Sequence, residues 1–436
     1  MQAIGGPAPV ASPDVPEFQT SPGTRDILPP DSARVRQLVS IFAEIVGRAG
    51  YGEIVPPMFE DLGVFQRLGE ATDVVTKEMY DFVDKGGRHI ALRPEQTASV
   101  VRAFVQHSPL TPWKVWYYGP NFRYEKPQTG RYRQFDQVGI EVLGVDDPNL
   151  DVEVIALAAR FYEALGLRQV RLSLNSLGNP DERASYVTAL QRYFEANLDA
   201  LTPESRQTLL KNPLRVLDSK RAEDADVVGA APQIGSFYSD ETAAHFESVC
   251  AGLRALDVEF TVTAHLVRGL DYYRRTTFEF AAEALDAAQN AVGGGGRYDG
   301  LAEDLGGSAT PGIGFALGVD RTILACDAEG VFGAPSLAPS AFVVDTTGGH
   351  EALLITAALQ RAGLPADRAY ENRSMKSQMK AAGRSGAAFA IIIGSDELAA
   401  GTVTVRPLAG HAGEDRTQLV VERGDLIDTL RKLIEP

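Results

Sequence analysis

The twelve residues RQFDQVGIEVLG (133–144) carry more potential chemistry than any other run in the chain. In an extended strand successive side chains alternate between faces, so Phe135, Gln137, Gly139 and Glu141 share one side while Val138, Ile140 and Val142 share the other. The second set is a core face. The first set places a ring, an amide and a carboxylate in a row, with a glycine leaving room between them. Alternation of this kind also marks the solvent side of an antiparallel sheet. The preceding GPNFRYEKPQTGRYR (119–133) shifts the balance, because Arg123 falls near the end of the partner strand and Lys126, Arg131 and Arg133 lie in or beside the turn. A carboxylate at one end of a sheet face and guanidiniums at the other suit a zwitterionic or phosphorylated ligand.

Arg268, in LVRGLDYYRRTTFEF, sits among apolar neighbours with Tyr272 and Tyr273 close behind. Its guanidinium either pairs with an acid such as Asp271 or is aimed at an anion, and both readings stay open. The glycine runs GGGGRYDG (293–300) and PGIGFALG (311–318) lack the endings of nucleotide-binding loops and read as tight turns or close backbone packing. The six histidines show no HxH or HExxH spacing and no Ser-His-Asp constellation is visible, so a zinc-type enzyme is not expected. Near the C-terminus Arg361, Arg368, Arg373, Lys376, Lys380 and Arg384 face only Asp367 and Glu371. Lys376, Lys380 and Arg384 repeat at helical spacing opposite Met375, Met379 and Ala382, which reads either as a solvated face over a core face or as a phosphate-backbone contact.

The elements that must position these residues are legible from periodicity. Val35, Leu38, Val39, Phe42, Ile45 and Val46 form one face of a first helix, capped by Asp31 or Ser32 and stopped near Gly50. Residues 114–144 predict two antiparallel strands around a polar loop, with Gly130 as its punctuation. From 178 to 255 the character is helical, with stripes at Val187, Leu190, Phe194, Leu198 and at Ala243, Phe246, Val249, Leu253. Strands return over 260–282 and a helix over 321–329. GVFGAPSLAPS (330–340) reads as a domain boundary, followed by strands (AFVVDT, FAIIIG, TVTVRPL) alternating with helices at 349–362, 374–385 and 424–434. The proline-rich residues 1–22 read as a disordered tail. With 436 residues, 44% apolar composition and a net charge of −16, the chain fits a multi-domain globular protein that does not bind nucleic acid indiscriminately. No run reaches the roughly 18 apolar residues of a membrane span. Cys250 and Cys326, far apart and outside any CxxC, suit a reducing cytosol.

Taken together, these segments resemble the histidyl-tRNA synthetases, a family of class II aminoacyl-tRNA synthetases, from GTRDILPPD at Gly23 to the C-terminus. PPMFEDLGVF is similar to class motif 1, with Pro57 as its proline, FRYEKPQTGRYRQFDQVGIEVLG to motif 2, and PGIGFALGVDR, ending in Arg321, to motif 3. RPEQT (93–97), LVRGLDYY (266–273) and GGGRYDGL (294–301) resemble the histidine-specific signatures, and the last two together are highly specific. The resemblance implies an α+β catalytic domain with an antiparallel sheet over 23–329, a helical insertion at about 178–255 over the acceptor arm, a linker at 330–339, and a C-terminal α/β anticodon-binding domain over 340–436.

It further implies a cytoplasmic homodimer that activates L-histidine with ATP and Mg2+ and then charges the histidine tRNA, with no membrane partner. Arg268 would stabilise charge on the α-phosphate, with Arg123 and Gln137 also at the reacting centre. Glu95, Thr97 and Gln137 would hold the α-amino group, Glu141 and Tyr273 the two ring nitrogens, and Tyr272 and Tyr298 the rest of the pocket. ATP would meet Arg123, Arg131, Phe135, Arg268 and Arg321, with Phe135 and Arg321 on either side of adenine. tRNA would meet Gln128, Arg133, Arg373, Lys376, Lys380 and Arg384. A pocket that pairs both ring nitrogens rejects analogues lacking them by ~10⁴–10⁵, so no editing domain is required. The alternative is a non-catalytic histidine-sensing regulatory subunit of histidine biosynthesis, whose members typically lack the anticodon-binding domain and the LVRGLDYY arginine. Three positions depart from the family pattern: Gln96 stands where glycine is common, beside the amino-group site; Asp136 replaces histidine, on the side away from the ligand row; and Asp320 is shorter than the usual glutamate.

Overall fold

The computed structural model describes residues 18–67, 77–266, 272–286, 290–408 and 417–434. The expected tail over 1–22 therefore lies outside the described residues except for 18–22. Contacts divide the chain into two units, Met1–Ala334 and Pro335–Pro436.

The first unit begins with α1 (Asp31–Arg48), β1 (Gly52–Glu53), β2 (Phe59–Asp61), α2 (Leu62–Gln66), β3 (Tyr80–Val83), β4 (His89–Leu92) and α3 (Thr97–His107). The long strands β5 (Trp113–Phe122) and β6 (Gln134–Leu143) come next, then α4 (Pro148–Ala164) and β7 (Val170–Ser176). A helical block follows: α5 (Pro180–Ala196), α6 (Pro203–Lys211), α7 (Ala225–Gly229) and α8 (Asp240–Ala255). β8 (Thr261–Val262), β9 (Arg274–Ala282), β10 (Ala291–Arg297), α9 (Leu301–Asp304), β11 (Gly312–Gly318) and α10 (Val319–Glu329) complete it. Eight strands form one sheet in the order β1-β5-β6-β11-β10-β9-β7-β8, and a separate three-stranded sheet has the order β2-β4-β3. The six inner strands of the large sheet are antiparallel, as the hairpin pattern predicts, while the two-residue edge strands β1 and β8 add parallel pairs.

One face of the large sheet is covered by α1, α4 and α10. Val138, Ile140 and Val142 are buried there with Leu38, Phe42 and Val46 of α1 and Phe161 of α4. Phe42 sits at the centre, edge-on to Phe161 (5.3 Å), Trp116 and Phe315 (both 6.1 Å). Such aromatic pairs add about 0.5–1.5 kcal/mol beyond area burial. The opposite face carries α3, whose Val100 packs on Val115 and Tyr117 of β5, and beside it the site. The expected cap of α1 is corrected: Pro30 occupies the N-cap, and Asp31 is the acid of the first turn, where it complements the helix dipole.

The segment expected as a helical insertion, about 178–255, packs in two parts. Tyr186, Leu190 and Phe194 pack with Leu209, Leu214, Val216, Val228 and Ile234 into a core of their own. Val249, Cys250 and Leu253 of α8 instead join the main core. Residues of 180–238 thus pack as one group, while α8, which periodicity alone does not distinguish from them, packs on the main core. Ala243 and Leu198, expected on apolar stripes, are exposed.

The second unit contains β12 (Ala341–Asp345), α11 (His350–Arg361), β13 (Ala366–Arg368), α12 (Met375–Arg384), β14 (Phe389–Ile393), α13 (Ser395–Ala400), β15 (Thr402–Pro407), β16 (Leu419–Glu422) and α14 (Leu426–Ile434). Its sheet, β13-β12-β14-β15-β16, is parallel across the first three strands and antiparallel across the last three. Strands β12 and β14 are buried throughout, which explains their unbroken apolar sequences.

Candidate active site

Strand β6 brings Glu141 directly behind a cavity on the face of the large sheet opposite α1 and α4. Its carboxylate is fully buried and accepts three hydroxyls: Thr97 Oγ1 (2.6 Å), Tyr298 OH (2.6 Å) and Tyr117 OH (3.2 Å). The hydroxyls arrive from three elements, the start of α3, the residue after β10, and β5. Burial, followed by the nearby charge of Glu95, pushes the Glu141 carboxyl up to about 8, against the hydrogen bonds that favour its ionised form. Near neutral pH this carboxyl holds its proton until a ligand brings a donor or a positive charge.

Two glycines make the arrangement possible. A Cβ at Gly139 would fall 2.4 Å from the Tyr117 hydroxyl, and one at Gly314, directly across the ladder, 1.8 Å from Glu141 Oε2. Gly139 therefore makes room for the Tyr117 ring rather than for a ligand. Tyr117 is the site residue that sequence reasoning misses. The available signal is the hairpin register, which pairs Tyr117 with Gly139.

Glu95 forms the next wall. Its two oxygens accept the N–H groups of Thr97 (2.7 Å) and Ala98 (2.8 Å), which caps α3. Burial raises its pKa, opposed by those N–H groups and by Arg123. Gln137 Oε1 accepts from the buried Asn121 (2.7 Å), which fixes its amide. Tyr272, Tyr273 and Tyr298 are buried and stack around one corner, with centroids 4.7 Å (Tyr272–Tyr273) and 6.0 Å (Tyr272–Tyr298) apart.

Toward the mouth the wall turns basic. Arg123 donates to the Pro94 carbonyl (2.9 Å) and lies over Phe135, 5.2 Å from its centroid. Arg131 is paired with Glu125. Arg321 donates to the carbonyls of Gly130 (3.0 Å) and Ala291 (2.9 Å), tying the 126–133 loop and the start of β10 to the start of α10. Burial, and then the charges of Arg131 and Arg123, lower the pKa of Arg321. Three guanidiniums that oppose one another across one cavity favour a polyanion.

Glu95, Thr97, Arg123, Arg131, Phe135, Gln137, Tyr272, Tyr273, Tyr298 and Arg321 thus border one cavity, and Glu141 lies directly behind it. Arg268 and its possible partner Asp271 lie outside the described residues. Of the expected tRNA contacts, Gln128 is exposed in the loop. Arg133 lies over the Tyr124 ring, 3.9 Å from its centroid. In the second unit Lys376, Lys380 and Arg384 are exposed along α12, and Arg373 is paired with Glu371 (2.5 Å). The expected core side of α12 is corrected in one place: Met375 is exposed and Gln378 is buried instead. Gln378 accepts the Asp345 N–H (2.9 Å) and donates to the Asp345 carbonyl (2.6 Å), so two backbone hydrogen bonds offset the burial of its amide.

The three departures acquire partners. Gln96 turns from the cavity toward the Gly119 carbonyl (3.4 Å). Asp136 borders the cavity, contrary to expectation, although its carboxylate turns to accept from Tyr118 OH (3.1 Å). Asp320 is paired with Arg25 at 2.6 Å. Of the two readings of the glycine runs, close backbone packing holds over most of their length, within strands: a Cβ at Gly295 of β10 would meet the Gly314 carbonyl of β11 at 2.0 Å, and only Asp299–Gly300 form a turn.

The family model for histidyl-tRNA synthetase matches residues 23–322, and that for an anticodon-binding domain matches residues 342–433. A histidine–tRNA ligase of Geobacillus kaustophilus is 46% identical over 425 residues, covering 96% of this chain and 99% of that protein. The crystal structure of apo S. aureus histidyl-tRNA synthetase superposes with a TM-score of 0.79 at 35% identity, over 95% of this chain and all of that one. A structure described as an ATP phosphoribosyltransferase regulatory subunit/histidyl-tRNA synthetase from Bacillus halodurans shares the fold at 19% identity (TM-score 0.60, 80% of this chain and 92% of that one).

Proposed function

The chain belongs to the histidyl-tRNA synthetase family, and from that premise we propose how its residues divide the work. The activity is that of a histidine–tRNA ligase: histidine and ATP give histidyl-adenylate and pyrophosphate, and the histidyl group then passes to the terminal adenosine of tRNA. The observation that carries the assignment of roles is the Glu141 carboxyl buried under three hydroxyls behind a cavity that Glu95 and three arginines line. A neutral acid at the bottom, an ionised or ionisable acid beside it and cations at the mouth complement an imidazole, an ammonium and a phosphate in that order.

In this reading Glu141 and Tyr273 hold the ring nitrogens, and Tyr272 and Tyr298 enclose the ring. Glu95, Thr97 and Gln137 hold the α-amino group. Phe135 supplies the stacking surface for adenine, with Arg321 across from it, and Arg131 meets the outer phosphates. Arg123 draws the carboxylate onto the α-phosphorus, and Arg268 joins it there. A carboxylate oxygen bonds to phosphorus as the bond to the bridging oxygen breaks, and the developing negative charge stays among fixed guanidiniums. Magnesium would accompany the nucleotide and would offset negative charge on its phosphates. Among the described residues no cluster of three or more His, Cys, Asp or Glu could hold a metal ion. In the transfer step the adenylate phosphate accepts the proton of the tRNA hydroxyl, since Glu95 and Glu141 are engaged in the pocket.

Apolar exposure supports a homodimer. Val55, Met58 and Phe59, at the segment that resembles motif 1, are exposed, and so are Phe82 and Val83 of β3 in the same three-stranded sheet. The cytoplasm is the compartment this reading requires, because ATP and tRNA meet there, and the two buried free cysteines suit its reducing conditions. Among the described residues no helix is long and apolar enough to cross a membrane.

ATP–pyrophosphate exchange with each of the twenty amino acids tests the assignment. Histidine alone is expected to support exchange; histidine binding without exchange would point to a regulator instead. For the second unit, replacing Lys376, Lys380 and Arg384 by glutamine is expected to reduce the salt slope of tRNA affinity by about 2–3, roughly one per phosphate contact. An unchanged slope would remove α12 from the tRNA surface.

A further inference from the structure

The strap Gly23–Arg25, which holds none of the residues assigned above, touches both arms of the nucleotide end of the cavity. The Gly23 carbonyl accepts the N–H groups of Arg133 (2.8 Å) and Gln134 (3.4 Å). With φ +79° and no side chain, Gly23 lies directly on the Arg133 stem, where a Cβ would approach Cγ to 2.6 Å. Two residues on, the Arg25 guanidinium covers the Tyr132 ring, 4.7 Å from its centroid, and donates to Asp320 Oδ1 at 2.6 Å. Tyr132 and Asp320 both border the cavity. The Asp136 N–H points at the second Asp320 oxygen (3.4 Å), and the neighbouring Arg321 returns to the loop through the Gly130 carbonyl. Strap, loop and the start of α10 therefore close into one circuit.

We propose that Arg25 is a positioning residue for the nucleotide. It holds the returning arm of the 126–133 loop against the N-terminus of α10, and so fixes how far apart Arg131 and Arg321 stand. This rests on the assignment of those two arginines to ATP. The physical case turns on magnitudes. Arg25 is 41% exposed at its side chain, so the ion pair adds little to global stability. Displacement of reacting groups by an ångström, in contrast, can cost ~10²-fold in rate. A planar guanidinium stacks on one partner and pairs with another at once, which lysine does poorly.

The test is histidine-dependent exchange with the full chain. Arg25→Ala is expected to raise the KM for ATP about three- to tenfold, the loss of one exposed ion pair and one cation–π contact. The KM for histidine and the unfolding temperature should stay as in the parent. Arg25→Lys should recover only part of the loss. Asp320→Asn should raise the KM for ATP by itself, and adding Arg25→Ala to it should change little more, because the two act through one contact. An unchanged KM for ATP, equal rises for both substrates, or a lowered unfolding temperature that accounts for the loss would overturn the proposal. Exchange in the parent with no effect of Arg25→Ala removes this proposal alone. A parent without exchange removes the assignment beneath it.

Discussion

Glu141→Gln is expected to lower histidine-dependent exchange by about 10²–10³, the range for losing a fixed charged partner in a buried site, and to carry that loss in the KM for histidine. Glutamine keeps the shape: its carbonyl accepts from Thr97 and Tyr117, and its amide N–H turns the Tyr298 hydroxyl from donor to acceptor, so the cluster survives while ionisation is lost. Alanine would leave three buried hydroxyls without an acceptor and confuse binding with folding. The same substitution has a pH signature. The Glu141 pKa is raised from 4.5 to about 8, so the native state binds one proton more than the unfolded chain across that interval. Its stabilising contribution is complete below pH 4.5, falls by about 1.4 kcal/mol per pH unit as pH rises, and is gone above 8. Denaturant unfolding of parent and variant from pH 5 to 8.5 should show that slope in the parent and its absence in Glu141→Gln. Parallel curves would mean that the carboxyl titrates in its ordinary range and that the pocket is wetter than its geometry implies.

Arg297→Met is expected to destabilise the first unit by about 3–5 kcal/mol, a fall of roughly 5–10 °C in unfolding temperature. Arg297 ends strand β10 and is fully buried. It meets the fully buried Asp151 of α4 through Nε (2.9 and 3.1 Å) and through Nη2 (2.7 Å). The same guanidinium donates to the carbonyls of Asp147 (3.1 Å) and Val145 (3.3 Å) and reaches Asp299 (3.4 Å). It thereby ties the end of the glycine strand to the turn before α4, and the next residue is Tyr298, whose hydroxyl holds Glu141. Removing the arginine alone leaves the buried Asp151 carboxylate with only the more distant His245 (3.7 Å) as a cationic partner, which is the costly half of a buried ion pair. Pairing Arg297→Met with Asp151→Leu should restore most of the loss, because an apolar pair of similar volume fills the same space. If the single variant unfolds with the parent, the guanidinium is not what fastens this corner.

The hairpin over 113–143 is legible in the amino-acid order itself. Alternation in GIEVLG, a polar loop with Gly130 and β-rich flanks leave few ways to pair, and pairing sets which side chains share a face. The amphipathic stripe of α1 is legible for the same reason, since a 3.6-residue period needs only neighbours in sequence. The residues that border the cavity can be named as a set because they fall in short, ordered signatures. The division of residues 178–255 between two cores is not legible in this way. Helix α8 has the same local character as α5, and only its packing on the main core separates them.

The amino-acid order by itself therefore determined the elements, the sheet face that carries chemistry and the family. The tertiary structure alone decided how those groups meet. Thr97 lies 44 residues from Glu141, and Tyr298 lies 157 residues away. Tyr117 reaches the same carboxylate only because Gly139 lacks a side chain opposite it. Arg25 and Asp320, 295 residues apart, give no local hint of each other. The reason is physical: periodicity is a property of bonds along the chain. A raised carboxyl pKa, a buried ion pair or a strap across a loop depends instead on which distant surfaces exclude water together.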